Sequence, residues 1–499
     1  MTSHTFLPSS FDLRARARQA MLDNGFAPDM PAETERQLKD LPSTPQAVDD
    51  ASGLRDLRNL LWSSIDNDES RDLDQIEVVS QLPDGNALRL LVGIADVAAF
   101  VPPGSPVDLH AGANTATIYT GVETFPMLPE TLSTGLTSLL DNEDRLAVVI
   151  DMTINETGDV TASDIYPALV RNRAKLTYDS IGAWLESGGG MEQGAQLPPR
   201  VSQIDGLAVQ LILQQEAARR LHARRLQAGA LEFETVEARP VIENGRVVAL
   251  TVPAKNEARR IIENFMIAAN TTMATFMASL GQPSIQRVVR APERWNRICE
   301  LAQHLGETLP QTPDARALSE FLARRKSADP DHFPDVSLAV VKLLGPGEYA
   351  VVSSPDDPQG HFGLAAYRYT HSTAPNRRYA DLIVQRLLLA VVSHTPPPYN
   401  AAELTVIAAH CTERENAARK VERIIRKVIA ANLLRDQIGH SFNAIVTGAS
   451  VKGTYVRVIS PPVEGRIIRN EAGLDVGDKV QVRLLAADAE HGFIDFARL

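Results

Sequence analysis

This sequence has few cysteines and no long apolar runs. Its 499 residues include only two cysteines, Cys299 and Cys411, which excludes a disulfide framework and favours a reducing, cytoplasmic location. No run is long and apolar enough to predict a membrane span, so no membrane partner is expected. An N-terminal signal sequence is not expected either, because Arg14, Arg16 and Arg18 interrupt the apolar residues there.

The overall composition is that of an ordinary globular protein, with 44% hydrophobic and 22% charged residues. The length exceeds what one core organises and predicts about three domains. A net charge of −12 argues against a protein that coats nucleic acid. It does not exclude a nucleic-acid enzyme, because such a protein can confine its basic residues to one channel.

An acidic segment between Ile65 and Ile76 is the first candidate site. Seven of its twelve residues are Asp, Glu, Asn or Gln. Carboxylates this close repel one another, and a hard divalent cation such as Mg²⁺ between them removes the repulsion. Asp72 and Asp74 lie two apart, so a strand would direct both to one face. A solvated acidic loop is the alternative, and the segment alone does not decide between them.

Local patterns divide the chain into three predicted domains of a multidomain α+β protein. Residues 1–50 predict a small helical domain, with a helix-turn-helix among the arrangements considered. Residues 51–436 predict a large mixed α/β domain, with apolar strands first and long helices at 205–227, 256–280, 379–392 and 401–434. An Asn244-Gly245 hairpin turn is predicted inside it. Residues 437–499 predict five short strands and an all-β OB-type barrel.

Two features of the C-terminal half, each with basic residues, can be interpreted either as binding surfaces or as structural elements. Phe442, Tyr455 and Arg457 of the predicted barrel would suit a stacking face for single-stranded nucleic acid, although the neutral barrel would equally suit a structural cap. The helix at 401–434 carries a series of basic residues, for which a solvated face is the favoured interpretation: Arg414, Arg419, Lys420, Arg423, Arg426 and Lys427.

A second polar segment runs from Tyr369 to Leu388. Pro375 is expected at a helix start, where backbone N–H groups attract anions. Arg377 and Arg378 add donors suited to phosphate, although a capped buried helix with surface arginines would look similar. On the apolar helix at 256–280, Glu263 and Asn270 share one face, and a buried Glu263 would need a partner.

Together these segments resemble the ribonuclease II / RNB family of exoribonucleases. The resemblance continues through short motifs in the same order along the chain: IADVAAFV at 94–101, PMLP at 126–129, AKLTY at 174–178, GALEF at 229–233 and the helix from 263 to 270. It covers roughly residues 55 to 430. The terminal barrel is similar to an S1 domain, which closes many enzymes of this family.

The resemblance implies an RNB-type catalytic domain that hydrolyses single-stranded RNA processively from the 3′ end and releases nucleoside 5′-monophosphates. Asp66, Asp72 and Asp74 match the family's metal-site aspartates, which hold a pair of Mg²⁺ or Mn²⁺ ions. Arg377 matches an arginine that contacts the reacting phosphate. No small-molecule cofactor is implied, and a monomer is expected.

Further matches imply contacts with RNA. Tyr119 matches an aromatic near the scissile end, Tyr178 a tyrosine that holds the terminal nucleotide, and Phe233 the aromatic that closes the stack of bases. Glu263 matches a glutamate beside the terminal nucleotide. Stacking of this kind tolerates any base, and contacts to the 2′-OH would select RNA over DNA.

Two departures from the family pattern matter. Gln75 stands where the family usually has a fourth aspartate; its amide oxygen still suits a metal, but one negative charge is missing. The N-terminus is helical where bacterial relatives often carry two cold-shock barrels. Three functions were therefore considered: the exoribonuclease, a non-catalytic RNA-binding protein that lost its chemistry with Gln75, and, more weakly, a DNA-binding regulator based on the helical N-terminus.

Overall fold

The structure is a computed structural model that describes residues 11–41, 54–83, 85–188, 197–234, 238–243, 246–252, 255–330, 332–353, 360–450, 453–474 and 476–499. Its helices are α1 Leu13–Asp23, α2 Ala32–Lys39, α3 Pro106–Asn114, α4 Tyr178–Glu186, α5 Pro199–Ser202, α6 Leu207–Ala228, α7 Glu257–Ser279, α8 Trp295–His304, α9 Ala315–Ala328, α10 Phe333–Leu344, α11 Tyr379–Val392 and α12 Ala401–Leu434. Among these, none has the length and hydropathy required to cross a membrane.

Most strands of the large domain form one mixed sheet of seven strands. Their bounds are β1 Arg55–Asp56, β2 Ser63–Asp66, β3 Gln75–Gln81, β4 Leu88–Ala95, β7 Asp144–Ile154, β8 Val160–Arg171 and β9 Ala174–Thr177, in the spatial order β1-β8-β7-β4-β3-β2-β9. Three short pairs lie outside this sheet: β5 Ile118–Tyr119 with β6 Thr124–Phe125, β10 Arg239–Glu243 with β11 Arg246–Thr251, and β12 Ser284–Val288 with β13 Glu348–Val352.

The central strands of this sheet are mostly apolar because helices cover them, although β3 also carries the buried Gln75 and Glu77. β3 and β4 are buried over most of their length, and α6 and α7 pack over the sheet. The resulting core includes Trp62, Ile94, Ile150, Phe265 and Leu388, whereas α8, α9 and α10 form a separate core. Continuous apolar runs of this kind are typical of strands covered on both sides. The sheet therefore fixes the polar residues that follow β2 and precede β3.

The C-terminal region is a closed five-stranded barrel, which confirms the OB-type prediction. Its strands are β14 Ser441–Ser450, β15 Gly453–Val458, β16 Glu464–Arg469, β17 Lys479–Asp488 and β18 Phe493–Arg498, in the order β14-β15-β16-β18-β17. Alternate residues of β15 to β17 point inward, as the period of two requires. Closure leaves no free sheet edge.

Helix α12 connects the parts of the molecule. It is 34 residues long and begins with a capping box, in which Asn400 and Glu403 satisfy each other's backbone N–H groups. Its last turns, with Ala431 and Leu434, belong to the core of the barrel. Val421 and Ile425 pack with Met21 of α1 in a separate core. The predicted boundaries after residues 50 and 436 stay predictions, because α12 shares cores with both flanking regions.

Three predictions of local structure differ from the structure or fall partly outside its described residues. The hairpin between β10 and β11 lies where Asn244-Gly245 predicted it, but those two residues are outside the described part of the chain. The prediction that Pro375 starts a helix is wrong: Pro375 opens a turn, and α11 begins only at Tyr379. The placement of Asp72 and Asp74 on a strand is also wrong, because β3 begins at Gln75.

Candidate functional site

The acidic segment leaves the sheet at Asp66, the last residue of β2, and returns to it at Gln75. Leu73 anchors the returning part: its side chain is buried, and its N–H donates to Ser138 Oγ at 2.9 Å. Leu139 N in turn donates to the Leu73 carbonyl at 3.0 Å. These contacts hold Asp72 and Asp74 in place on either side of an apolar anchor, which replaces the strand geometry that the spacing had suggested.

Asp74 lies at the centre of the site and is 2% exposed. Its Oδ1 accepts a hydrogen bond from the backbone N–H of Asn376 at 3.0 Å, and its Oδ2 accepts one from Arg377 Nε at 3.1 Å. The two polar segments that the sequence singled out therefore meet directly. The backbone carbonyl of Asp74 also accepts from Ala95 N at 2.9 Å, so the main chain on both sides of the carboxylate is fixed.

The turn at Pro375 does not offer an open anion site. The Asn376 N–H is directed at Asp74, and the N–H groups of Arg377 and Arg378 donate to the Ala374 carbonyl. Arg378 is half-buried and pairs with the buried Asp381 at 2.7 Å. The role of Arg378 as a phosphate donor stays a prediction, and the exposed Arg377 is the guanidinium that faces the aspartates.

The other two aspartates are held by hydroxyl groups. The phenol of Tyr119 donates to Asp72 Oδ2 at 3.1 Å, and the Tyr119 backbone N–H donates to Glu422 Oε1 of α12 at 3.3 Å. Asp66 Oδ1 accepts from Ser70 Oγ at 3.0 Å. Tyr119 is 45% exposed, so an aromatic face lies at the edge of the acidic group.

The carboxylates of the site disfavour one another's charge. Burial raises the pKa of Asp74 to about 7, even though Arg377 and the Asn376 N–H oppose the increase, and nearby Asp72 raises it further. Burial also raises the pKa of Asp66, against the hydrogen bonds from Asn67 and Ser70, and Asp72 again adds to the increase. A bound cation would reverse both effects.

The donor set fits a divalent metal by its chemistry. Asp66, Asp72 and Asp74 supply hard carboxylate oxygens, and Gln75, a buried residue, supplies an amide oxygen. In the described part of the chain, however, no three His, Cys, Asp or Glu side chains converge as they stand. The carboxylates instead engage Arg377, Tyr119 and Ser70, so an ion would have to replace some of these hydrogen bonds.

Tyr178 is positioned by the junction between α4 and α7. The guanidinium of Arg259 lies 4.3 Å from the centre of its ring and also donates to Asn67 Oδ1 at 3.2 Å. Asn256, the N-cap of α7, donates to the Tyr178 carbonyl at 2.8 Å. A Cβ at Gly182 would lie 2.4 Å from the Asn256 side chain, so only glycine permits this approach. No sequence motif pointed to Arg259.

Phe233 and Glu263 line one cavity of ≈ 400 Å³. Its wall is rich in positive groups that the sequence analysis did not select: Arg225, Lys255, Arg260 and Lys326. The expectation that Glu263 is buried is wrong, because its side chain is 56% exposed and only approaches Arg225 at 4.0 Å. Asn270, on the same helix, is the buried polar residue; its Oδ1 accepts from the N–H and hydroxyl of Ser372.

The predicted stacking face of the barrel is mostly occupied by packing. Arg457 forms an ion pair with Asp335 of α10 at 2.9 Å, and both side chains are largely buried. Phe442 is half-buried and meets Phe496 of the barrel core edge-on, at 6.4 Å between ring centres. Tyr455 is exposed. The prediction that Arg457 and Phe442 form an open stacking surface is therefore wrong; Tyr455 stays a prediction.

Helix α12 instead presents a basic face beside the site. Arg414 is turned inward, where it stacks on Phe26 and donates to the carbonyls of Asn24 and Gly25. The remaining basic residues are exposed and share one side of the helix, which we call the basic face: Arg419, Lys420, Arg423, Arg426 and Lys427. Glu422, at the edge of this face, is the residue that contacts Tyr119.

An aromatic pair of the barrel continues the basic face. Phe493 is 62% exposed and stacks on His491, with the two rings inclined by 9°. The preceding Gly492 lies against Lys427, since a Cβ there would be 2.9 Å from the Lys427 side chain. Cations next to an exposed aromatic platform suit a single nucleic-acid strand. The sequence analysis missed this pair because His491 and Phe493 become neighbours of α12 only in the fold.

Family models match two parts of the chain. The model of the RNB domain matches residues 54–394, and that of the RNase II-type exonuclease C-terminal S1 domain matches residues 440–499. Among curated proteins, ribonuclease R of Thermotoga maritima is 29% identical over 498 residues, which cover 94% of this chain and 68% of that protein.

Solved structures show the same fold. Mycoplasma genitalium RNase R, in a complex with ribose-methylated single-stranded RNA, superposes with a TM-score of 0.87 at 23% identity, covering 98% of this chain and 78% of that one. Yeast Ssd1, described as a pseudonuclease, superposes with a TM-score of 0.72 at 19% identity, covering 95% and 57%. The fold alone therefore does not decide between an active enzyme and an inactive one.

Proposed function

Because the chain belongs to the RNB family of exoribonucleases, we propose that it degrades single-stranded RNA processively from the 3′ end to nucleoside 5′-monophosphates, with Mg²⁺ or Mn²⁺ as the metal. The observation that carries the proposal is the meeting of Asp66, Asp72 and Asp74 with Arg377 at one edge of the sheet. We further propose that the protein acts as a cytoplasmic monomer, as its two unpaired cysteines suggest for the compartment.

The acidic residues and Arg377 would have different roles at the reacting phosphate. Divalent ions held by Asp66, Asp72 and Asp74 would supply Lewis-acid stabilisation of the attacking and leaving oxygens. The Arg377 guanidinium, which is 43% exposed, would donate to a non-bridging phosphate oxygen. The guanidinium lies beside Asp74, near the place where negative charge would develop, and such preorganisation favours the transition state.

Aromatic and basic residues would hold the strand. Tyr119 and Tyr178 flank the acidic group, and Phe233 with Glu263 lines the neighbouring cavity, which would receive the 3′-terminal nucleotide. We propose that RNA upstream of the site lies along the basic face of α12 and stacks on Phe493. Contacts of this kind to phosphates and base faces bind any sequence.

A non-catalytic RNA-binding protein is the second candidate function. Two observations favour it: the neutral Gln75 in the acidic segment, and the pairing of Asp74 with Arg377, which occupies a carboxylate that a metal would need. The similarity in fold to a pseudonuclease is compatible with this candidate. The candidates differ in one property only, the release of mononucleotides in the presence of metal.

One experiment separates the two candidates. The protein is incubated with single-stranded RNA that carries a label at either the 3′ or the 5′ end, with Mg²⁺, with Mn²⁺ or with a chelator. The proposed enzyme releases the 3′ label at once as a mononucleotide and shortens the 5′-labelled strand progressively, in metal only. Intact RNA under every condition, together with retained binding, would establish the non-catalytic protein.

A further inference from the structure

Two consecutive hydroxyl residues, Thr137 and Ser138, each bind one of the two polar segments that meet at the candidate site. Ser138 Oγ accepts a hydrogen bond from the Leu73 N–H at 2.9 Å and donates one to the Arg71 carbonyl at 2.6 Å. The Thr137 hydroxyl donates to Asn376 Oδ1 at 2.5 Å. Both side chains are buried, so water does not compete for these bonds. We call these two residues the hydroxyl pair.

The hydroxyl pair is itself held firmly. It follows a short π-helix, Thr131–Leu136, and the Thr137 N–H closes the wide turn of that helix by donating to the Leu132 carbonyl at 3.1 Å. The Thr137 hydroxyl lies 2.8 Å from the same carbonyl, so its hydrogen is shared between two acceptors. Arg145 of β7 donates to the Ser138 carbonyl at 2.9 Å and to a second carbonyl within the π-helix. The pair is therefore attached to the central sheet.

Asn376 is the link between the hydroxyl pair and Arg377. Its backbone N–H donates to Asp74 at 3.0 Å, and its side chain is fully buried. Among the described residues, Thr137 is the one hydrogen-bond partner of that side chain, because Nδ2 has none. The bond to Thr137 thus adds a constraint on residue 376, whose N–H reaches Asp74 and whose successor carries the guanidinium. A buried amide that lost this bond would favour a different orientation.

We infer, on the basis of the proposed function, that Thr137 and Ser138 are positioning residues for the reaction. They touch neither the metal nor the RNA in this scheme. Ser138 acts through Leu73 on the aspartates, and Thr137 acts through Asn376 on Arg377. Because the two hydroxyls are on adjacent residues, they fix the acidic segment and the Arg377 turn relative to each other. Such alignment matters, since a misplacement of about 1 Å can lower a rate by roughly a hundredfold.

The first test compares the rate on bound RNA with the affinity for RNA. Thr137→Val and Ser138→Ala remove the hydroxyls, and Thr272→Val and Ser133→Ala are the matched controls. The controls are also buried, but their hydroxyls bind Met152 and carbonyls next to or within the same π-helix, away from both polar segments. In single-turnover hydrolysis we expect the two test variants to be slower by about tenfold or more, with an unchanged Kd for single-stranded RNA.

Two further variants separate positioning from a general loss of stability. Thr137→Ser keeps the hydroxyl and should restore most of the rate. Asn376→Leu removes the same hydrogen bond from the other side and keeps the backbone N–H that binds Asp74. The rate losses of Thr137→Val and Asn376→Leu should therefore not add in the double variant. Additive losses would mean that the two residues act independently.

Hydrogen exchange, followed by mass spectrometry on the metal-free full-length protein, tests the coupling without any catalysis. Thr137→Val should accelerate exchange in peptides that cover residues 70–75 as well as in those that cover 374–378, although Thr137 contacts only the second segment. Ser138→Ala should likewise affect both segments. The control variants should affect neither. Exchange that changes only beside each substitution would show a local packing role and overturn the inference.

The outcomes keep this inference separate from the proposed function. Wild-type rates in both Thr137→Val and Ser138→Ala would overturn the positioning role and leave the nuclease intact. A wild type that hydrolyses no RNA would overturn the nuclease, and hydrogen exchange alone would then decide whether the hydroxyl pair couples the two segments. If Thr137→Val does not fold, Asn376→Leu takes its place in both measurements.

Discussion

The Nε atom of Arg377 donates a hydrogen bond to Oδ2 of Asp74 at 3.1 Å, although 303 residues separate the two in sequence. The pair joins the start of β3 to the turn before α11, and the neighbouring Asn376 N–H binds the other oxygen of the same carboxylate. A single buried aspartate thus aligns a guanidinium with the acidic segment.

Asp74→Asn should abolish hydrolysis and leave RNA binding nearly unchanged. The amide removes one of the charges that the metal requires, while the aromatic residues and the basic face remain. We expect at least a thousandfold loss in the rate of mononucleotide release and a Kd for single-stranded RNA within about threefold of the wild type. Rate and affinity are measured on the same 5′-labelled RNA. Normal mononucleotide release would refute the role of Asp74.

The same substitution should stabilise the metal-free protein in a pH-dependent way. The pKa of Asp74 in the folded state, about 7, lies above its ordinary value, so the folded protein holds this proton more tightly than the unfolded chain does. The penalty from Asp74 is absent near pH 4, grows as the pH rises to 7, and then stays constant. It amounts to ~4 kcal/mol at most.

Thermal unfolding in a chelator therefore tests the charge state of Asp74. Asp74→Asn should melt at a higher temperature than the wild type at pH 8, and the difference should shrink toward pH 5. Asp68→Asn, at an exposed position in the same segment, serves as the control and should show no such trend. A constant difference across this range would mean that burial of the Asp74 charge is not its cause.

Gln75→Asp should strengthen metal binding and lower the Mg²⁺ concentration needed for half-maximal activity. The substitution adds a carboxylate where the structure has a nearly buried amide. Activity is titrated with Mg²⁺ in both forms. Gln75→Glu is the control, because it adds the same charge on a longer side chain. Superimposable titration curves for wild type and Gln75→Asp would place residue 75 outside the coordination sphere.

Neutralising part of the basic face should weaken the binding of long RNA. Each lost phosphate contact lowers the slope of log affinity against log salt by about 0.7 for a single strand. Arg423→Gln combined with Lys427→Gln should therefore reduce the slope by about 1.4, if each residue contacts one phosphate. Arg36→Gln with Lys39→Gln on α2 is the matched control, since both are exposed there.

Oligonucleotide length separates this surface from the catalytic site. A short RNA that fills only the site should bind the double variant as it binds the wild type, whereas a long RNA should lose affinity. Phe493→Ala should give the same length-dependent pattern with an unchanged salt slope, because stacking is not an ionic contact. Equal losses for short and long RNA would place the basic face within the catalytic site itself.

The ion pair between Arg457 and Asp335 should hold the barrel against α10. Removing one partner leaves the other charge buried, so Arg457→Met alone should cost about 3–5 kcal/mol of unfolding free energy. Arg457→Met with Asp335→Leu should recover most of it. Chemical denaturation of the metal-free protein measures both. A double variant as unstable as the single one would show that the contact is not an isolated pair.

Local structure was largely predictable from the sequence, because it depends on nearby residues. The helix predicted at 401–434 has those bounds, and five short strands punctuated by glycine do close into a barrel. Periodicity and turn residues carry that information. The resemblance to the RNB family was also confirmed.

Contacts between distant segments were not predictable in the same way. Nothing in the local pattern shows that Arg457 turns to Asp335, that Arg414 stacks on Phe26, or that Glu77 is left without a partner. A period of two assigns Glu77 to a face of its strand, but only the packing of α6 and β2 decides what that face meets. The error at Glu263 has the same origin, because one side of a mostly apolar helix can still face a cavity.

The shared cores of α12 make it a mechanical link. Glu422 touches Tyr119 at the site, and Leu434, twelve residues later, lies in the interior of the barrel about 18 Å along the same rod. Because α12 packs into a core at each of these places, it restricts movement of the barrel relative to the site. If RNA follows the proposed path, an RNA strand that has been shortened below this span would lose its contact with the barrel in one step. Its dwell time on the protein should therefore fall abruptly rather than gradually.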